Sequence, residues 1–177
     1  MKNLILVIAL TFVNTLTKAQ VKIYSDKELS TISYYMHHPM HEWTGLSKEA
    51  TSIILTDDKR STITKVVVSV KIASFDSKNA NRDSHVIEAT EGILYPAITF
   101  SSDTIIQKEN NLEVKGTIVF HGLSKRISFT ADKKNTKNRV EITGSFPLKM
   151  TDFKIEPPSL LGIATTDEFK ISFDMFY

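Results

Sequence analysis

Apolar and polar residues alternate along most of the chain after about residue 30. The alternation is strictest at the C-terminus, where every second residue from Phe169 to Tyr177 is apolar. A period of two residues is typical of a β-strand with one buried and one solvent-facing side. Turn-forming residues separate such segments into about eight strands, mostly with hairpin-length connections. The pattern therefore predicts an all-β, antiparallel barrel or sandwich.

Residues 82–100 depart from this rhythm. Apolar residues there fall at helical spacing, and Asp83 or Ser84 can cap a helix start by accepting backbone N–H bonds. Gly92 can adopt the left-handed conformation that ends a helix, and Pro96 prevents its continuation. We therefore predict one short helix, at about residues 84–93.

The first 19 residues have the features of a secretory signal peptide. A short positive start precedes an apolar run that is too short to span a bilayer, and small residues precede Gln20. Residues 1–19 are therefore predicted to be a signal peptide cleaved near Ala19 and Gln20, and residues 20–177 to be one β-domain. The alternative is a buried N-terminal helix. With cleavage, we expect a periplasmic or secreted protein without a stable transmembrane anchor.

Removal of the signal peptide changes the charge balance. Without Lys2 and Lys18, the 22 basic residues become 20 and equal the 20 acidic residues. The remaining chain then has no excess of positive charge, so its charge does not favour a nucleic-acid partner. The chain also has no cysteine, which excludes disulfides, thiol chemistry, cysteine-ligated metals and a lipoprotein anchor.

Three blocks of sequence together resemble the YceI-like family. They are N-R-D-S-H-V-I-E-A-T-E-G-I-L-Y-P-A-I-T-F-S-S, G-T-I-V-F-H-G-L-S-K-R-I-S-F and G-S-F-P-L-K-M-T-D-F-K-I-E-P-P-S-L-L-G-I-A-T-T-D-E-F-K-I. The resemblance implies an exported, eight-stranded antiparallel barrel, lipocalin-like, that holds a polyisoprenoid lipid in an apolar tunnel. Isoprenoid quinones and prenyl phosphates are such lipids. It further implies carriage or storage without catalysis, and no cofactor other than a bound isoprenoid lipid or quinone.

Two positions depart from the family pattern. Lys154 stands where the family often has glycine, which affects a loop conformation. Residues 37–45 replace the usual early strand of the family, and we expect them to interrupt the strand that precedes them. Because of this second departure, the resemblance predicts neither the shape of the pocket entrance nor the head group of the ligand.

The apolar rows have two interpretations, a packed core or the lining of a tunnel. Aromatic side chains dominate the interiors of β-proteins, so composition alone favours the packed core. With the resemblance, we expect a tunnel for an apolar lipid. Its predicted lining is Phe100, Ile118, Phe120, Phe129, Phe146, Phe153, Leu160, Phe169 and Phe173.

Arg82, Asp83 and His85 lie at the start of the predicted helix. They could form the barrel mouth, where an arginine and a helix N-terminus bind phosphate. Asp83 would repel such an anion. The alternative, which we favour, is a helix anchor made of a cap and an Arg–Asp or His–Asp hydrogen bond.

Histidines offer the other candidate chemistry. His37, His38 and His41 lie beside Glu42 and could bind zinc, contact a head group, or be ordinary surface residues. His121, in a tight turn, is expected to be structural. No G-x-S-x-G, P-loop or G-x-G-x-x-G motif is present, so we do not predict an enzyme.

Other functions remain compatible with the sequence. One is an outer-membrane β-barrel, because a signal peptide and alternating strands are common to such proteins. Another is a metal-dependent envelope enzyme that uses His37, His38 and His41. A third is an envelope protein that keeps the fold and has lost the cavity. Oligomeric state does not follow from the sequence.

Overall fold

The computed structural model describes residues 20–57, 59, 61–136, 138–160 and 162–177, with the backbone alone described at Leu160. The predicted signal peptide, residues 1–19, lies outside the described residues. Within the described part, no helix is long and apolar enough to cross a membrane.

Twelve strands and one α-helix make up the described chain. They are β1 (Val21–Tyr24), β2 (Thr31–His38), β3 (His41–Ser47), β4 (Thr51–Thr56), β5 (Ile63–Lys71), α1 (Ala80–Ala89), β6 (Ala97–Lys108), β7 (Asn111–Phe120), β8 (Leu123–Asn135), β9 (Val140–Lys149), β10 (Ser159–Leu160), β11 (Ile163–Ala164) and β12 (Glu168–Phe176). Short 3₁₀ turns follow β5 and β9.

Ten of the strands form one antiparallel sheet in the order β1-β4-β5-β6-β7-β8-β9-β12-β2-β3. The sheet curls around an apolar interior to which side chains from most of its strands contribute. β10 and β11 form a separate small hairpin. The prediction of an antiparallel, all-β barrel with one helix is confirmed, with ten strands in the sheet rather than eight.

The inward and outward faces follow the sequence alternation. On β12, Phe169, Ile171 and Met175 are buried, while Glu168 and Lys170 are exposed. Polar groups thus face outward and apolar groups inward. An outer-membrane barrel needs the opposite arrangement, with apolar side chains facing lipid outside.

The segment after His38, which we expected to interrupt the strand, is a β-hairpin. Pro39 and Met40 form its turn, and β3 pairs with β2 in regular register. Gly45 makes this pairing work, because a side chain there would collide with the ring of Tyr34, its partner on β2. The missed strand is therefore an edge strand whose glycine accommodates a neighbouring aromatic ring.

Helix α1 begins four residues earlier than predicted. Asn79 is its N-cap, and the Asn79 side chain accepts a hydrogen bond from the backbone N–H of Arg82 at 3.1 Å. Asp83 therefore lies in the first turn and does not cap the helix. Asparagine and aspartate are both good N-cap residues, so residue type alone did not distinguish Asn79 from Asp83.

The end of α1 also differs from the prediction. Glu91, with φ of 47°, and not Gly92, adopts the left-handed conformation. The Gly92 N–H donates to the Ile87 carbonyl at 2.7 Å, which satisfies one of the terminal carbonyl groups of the helix.

The end of the barrel away from α1 is closed by polar contacts. Lys133 points inward on β8, is 4% exposed, and donates to the Ser61 carbonyl at 2.9 Å. The hydroxyls of Tyr177 and Ser52 lie 2.6 Å apart near the same end. The apolar interior therefore lies between the end of the barrel next to α1 and an opposite end where polar side chains form hydrogen bonds.

Candidate ligand-binding site

Two adjacent spaces lie inside and above the barrel. The inner space is a cavity of about 100 Å³ with almost entirely apolar walls. The outer space is a cleft of about 850 Å³ between α1, the β2–β3 hairpin and the segment that follows β9. Phe75, Ile98 and Ile171 line both spaces, so these three side chains form the boundary that the cleft and the cavity share.

The inner cavity is small. An engineered apolar cavity that binds benzene has a volume of about 150 Å³. The interior is filled mainly by phenylalanine rings, with Phe129 at their centre. Its ring stacks on Phe146 at 4.7 Å and lies 5.5 Å from Phe100 and 5.7 Å from Phe173. The interior thus combines the two predicted interpretations, since a largely packed core encloses a small apolar cavity.

The structure distributes the predicted tunnel residues over both spaces. Five line the inner cavity, namely Phe100, Ile118, Phe129, Phe146 and Phe173. Phe120 and Phe169 line the cleft. Phe153 lines neither space and packs behind Phe120 at 5.2 Å. The Leu160 side chain lies outside what the structure describes.

The three residues predicted for the barrel mouth or the helix anchor have different surroundings in the structure. Arg82 and His85 line the cleft. The Arg82 guanidinium lies 5.0 Å from the centre of the Trp43 ring, a cation–π contact. Asp83 instead accepts hydrogen bonds from the Ser77 backbone N–H at 3.1 and 3.3 Å. Asp83 thus binds the loop before the helix, with a backbone partner where we expected an arginine or histidine.

Two aromatic residues that sequence reasoning did not assign to the site lie beside Arg82. Tyr34 and Trp43 both line the cleft. The Tyr34 hydroxyl and the Trp43 indole nitrogen are buried, and neither has a hydrogen-bond partner among the described residues. Alternation placed Tyr34 on the inward row of its strand. No sequence signal linked it to Trp43, because that contact depends on the missed strand β3.

Burial raises the pKa of the Tyr34 hydroxyl above its ordinary value of 10.0, and the nearby Trp43 indole opposes this shift in part. The indole is thus close to the phenol, although no hydrogen bond of good geometry joins them. Tyr34 therefore keeps its proton at neutral pH and remains available as a donor.

The three neighbouring histidines do not converge on a common point. His38 is buried, its Nδ1 accepts the Met40 N–H at 3.1 Å, and its Nε2–H therefore donates to the Ile163 carbonyl at 2.9 Å. His37 lies 3.0 Å from Glu42 on the outer face. Among the described residues, no group of three histidine or acidic side chains is arranged to hold a metal ion.

His121 holds the end of α1 against the barrel. Its Nδ1 lies 2.8 Å from the Phe153 carbonyl, and its Nε2 lies 2.7 Å from a carboxylate oxygen of Glu91. Glu91 is the residue in left-handed conformation after the helix. His121 is thus structural, as predicted, and it provides the partner of Glu91.

The fold and the cleft can now be compared with known proteins. A sequence profile described as YceI-like domain matches residues 24–176. The chain belongs to the YceI-like family. Protein YceI of Salmonella newport (strain SL254) is 24% identical over 146 residues, 77% of this chain and 76% of that protein. Protein YceI of Escherichia coli O157:H7 is 24% identical over 147 residues, 78% and 77% of the two chains.

Solved structures share the YceI-like fold. Burkholderia cenocepacia BcnA superimposes with a TM-score of 0.77 at 18% identity, covering 86% of this chain and 99% of BcnA. A polyisoprenoid binding domain from Saccharophagus degradans, implicated in plant cell wall breakdown, gives 0.70 at 15% identity, covering 87% and 97%. The Campylobacter jejuni YCEI protein gives 0.64 at 22% identity, covering 75% and 82%.

Proposed function

We propose that this protein binds a polyisoprenoid or a similar long apolar lipid for carriage or storage and performs no chemistry on it. Membership of the YceI-like family and the similar fold of a domain described as polyisoprenoid binding support this proposal. In this proposal the apolar chain enters the barrel interior and the polar end remains in the cleft.

The observation that carries the proposal is that the two spaces are adjacent. Phe75, Ile98 and Ile171 form an apolar boundary shared by a wide, partly polar cleft and an apolar cavity. A lipid has the matching division into a polar end and an apolar chain. Burial of the chain contributes about 25 cal/mol per Å² of apolar surface, so several enclosed isoprene units suffice for tight binding.

Binding of a long chain requires the interior to widen. The present cavity of about 100 Å³ holds only a small group. The stacked rings of Phe129 and Phe146 occupy the space beyond it. Rotation of such rings toward the barrel wall exchanges ring–ring contacts for ring–ligand contacts, so packing contacts are largely retained.

The proposal includes export to the periplasm or the medium. Its support is the signal-like pattern of residues 1–19. N-terminal sequencing of protein recovered from the periplasm or the medium is expected to begin near Gln20. Recovery of the uncleaved chain in the cytoplasm would overturn this part of the proposal and leave the lipid-binding part in place.

Native mass spectrometry of gently purified protein tests the lipid-binding proposal. We expect a mass increment that disappears on organic extraction, with a long apolar lipid in the extract. A sample extracted and refolded before measurement is the control for adventitious adducts, and it should regain the increment when isoprenoid lipid is added. Protein that is repeatedly empty and takes up no added lipid would contradict the proposal.

A further inference from the structure

We propose that the cleft holds the ligand's head group through Tyr34 and Trp43, and that this head group is uncharged and presents an acceptor oxygen such as a carbonyl. The inference rests on the proposed lipid-binding function and adds the chemical class of the polar end.

The first argument is the unpaired polar atoms in the wall of the cleft. Tyr34 is only 7% exposed, and neither its hydroxyl nor the Trp43 indole nitrogen has a partner among the described residues. Buried polar groups in folded proteins are nearly always paired, and an unpaired one lowers stability. An indole N–H can only donate, so the missing partner is an acceptor atom.

The second argument is the position of Tyr34. Its ring meets the ring of Phe75 edge-on, with centres 5.4 Å apart. Phe75 lines both the cleft and the cavity, so Tyr34 lies on the cleft side of the boundary between them. An oxygen atom bound to its hydroxyl would lie next to this boundary, with the attached chain directed toward the apolar interior.

The third argument is the charge of the cleft. Among the described residues that line the cleft, Arg82 is the only arginine or lysine, and its guanidinium already lies over the Trp43 ring. Glu88 and Glu156 also line the cleft. A phosphate group needs an excess of positive charge or converging N–H donors. One arginine beside two carboxylates does not supply that excess, so the balance favours an uncharged head group.

The histidines of the cleft do not change this balance. His38 uses both ring nitrogens within the protein. His85 lies 3.5 Å from a carboxylate oxygen of Glu88. The ring of His41 stacks on Trp43, with centres 5.2 Å apart. Among the described residues of the cleft, the buried polar atoms without a partner are the Tyr34 hydroxyl, the Trp43 indole nitrogen and the Thr165 hydroxyl, and the first two lie on the paired strands β2 and β3.

The chain's single tryptophan makes the proposal directly measurable. Trp43 lies in the cleft, so its fluorescence reports on occupancy of the head-group position. Three probes have closely similar prenyl chains and different polar ends, namely geranylgeranylacetone, geranylgeraniol and geranylgeranyl phosphate. Titration of protein freed of bound lipid is expected to show the ketone binding roughly tenfold more tightly than the phosphate. Both probes offer an acceptor oxygen, but Arg82 beside Glu88 and Glu156 does not offset the cost of removing a charged phosphate from water.

Tyr34→Phe is the decisive variant. It removes one hydroxyl and keeps the ring, so we expect roughly tenfold weaker binding of the ketone. Because that hydroxyl is unpaired, the variant should melt at the same or a higher temperature, which a merely structural hydroxyl would not predict. Tyr35→Phe is the matched control, since Tyr35 is on the opposite face of β2, and it should leave affinity unchanged.

Three results would overturn the inference. In the first, the phosphate binds most tightly and loses affinity in Arg82→Gln, which assigns an anionic head group. In the second, all three probes bind equally and Tyr34→Phe has no effect, which leaves the lipid-binding proposal standing without a head-group site. In the third, no probe binds and native mass spectrometry detects none, and then both proposals fail.

Discussion

At the scale of single residues, the inward-facing side chains are polar at the two ends of the barrel and apolar between them. Tyr34 and His38 face the cleft, while Lys133 and Tyr177 lie toward the closed end. His38, Lys133 and Tyr177 all have partners within the protein. Tyr34 has none, and this contrast is what distinguishes a site for a ligand from a structural contact.

Tyr177 gives a prediction about alkaline stability. Burial raises the pKa of its hydroxyl from 10.0 to about 12, and the hydrogen bond to Ser52 opposes this shift in part. Below pH 10 the hydroxyl is neutral in both states and its contribution to stability is complete. Between pH 10 and 12 only the unfolded chain ionises, so this contribution is lost as the pH rises.

We therefore expect Tyr177→Phe to be about 1 kcal/mol less stable than the unmodified chain at pH 7, because one hydrogen bond is lost. The difference should shrink above pH 10 and reverse toward pH 12. Urea unfolding at a series of pH values measures it. Tyr24→Phe, at an exposed tyrosine, is the control. A Tyr177→Phe difference that stays constant from pH 9 to 12 would contradict the assignment.

At the scale of elements, hydrogen bonds hold both ends of α1. Asn79 and Asp83 order its start, and Glu91 with His121 orders its end. The contacts of Asn79 and Asp83 stay within the helix and its adjoining loop, and the contact of Glu91 reaches the turn between β7 and β8. The helix is thus a fixed wall of the cleft rather than a separate unit.

Asp83→Ala tests the anchoring role. The variant leaves the backbone N–H of Ser77, a buried residue, without its acceptor, so we expect a loss of about 1–2 kcal/mol in the free energy of unfolding. The kind of lipid bound should stay the same. Urea unfolding and native mass spectrometry give the two readouts.

Ser84→Ala is the matched control on the same helix. The Ser84 hydroxyl donates to the Ala80 carbonyl at an exposed position, so its loss should cost little. A changed ligand with unchanged stability in Asp83→Ala would show that Asp83 selects the ligand and does not anchor the helix.

At the scale of the whole molecule, the barrel encloses less space than a long lipid needs. The phenylalanine cluster fills the interior, and the cleft contains most of the room. Lipid binding and core packing therefore compete for the same volume. Stability of the empty protein should fall when the rings are reduced in size, while the capacity for ligand should rise.

Phe146→Ala tests this competition. The Phe146 ring is half-buried, so its loss should destabilise the empty protein by about 2 kcal/mol, less than the loss of a fully buried phenylalanine. Added geranylgeraniol should recover more stability in this variant than in the unmodified chain, because it fills the new space. Thermal melts with and without the alcohol measure both effects.

Phe176→Ala removes the same side chain from the outer face of β12 and is the control. It should show no additional stabilisation by the alcohol. Equal stabilisation of Phe146→Ala and the unmodified chain would contradict binding in the interior.

Much of the fold could be predicted from local pattern. A two-residue period depends only on neighbours along the chain, so the rows of β7, β8, β9 and β12 follow directly from it. Helix bounds were less certain because Asn79, Asp83 and Ser84 are comparable caps, and nearby contacts decide between them. The residue in left-handed conformation after α1 is Glu91, and its carboxylate contacts His121, 30 residues away, a contact that no local pattern indicates.

Local alternation and ordered motifs thus sufficed to predict most of the strands, their inward rows and the family, whereas β3 and the count of ten strands in the sheet were missed. Tertiary structure decided the site. Tyr34 meets Trp43 only because β2 and β3 pair around Gly45, and Arg82 reaches Trp43 only because α1 packs over that hairpin. Contacts between residues distant along the chain leave no periodic trace in the sequence, so the cleft, its unpaired donors and its charge became visible only in the folded molecule.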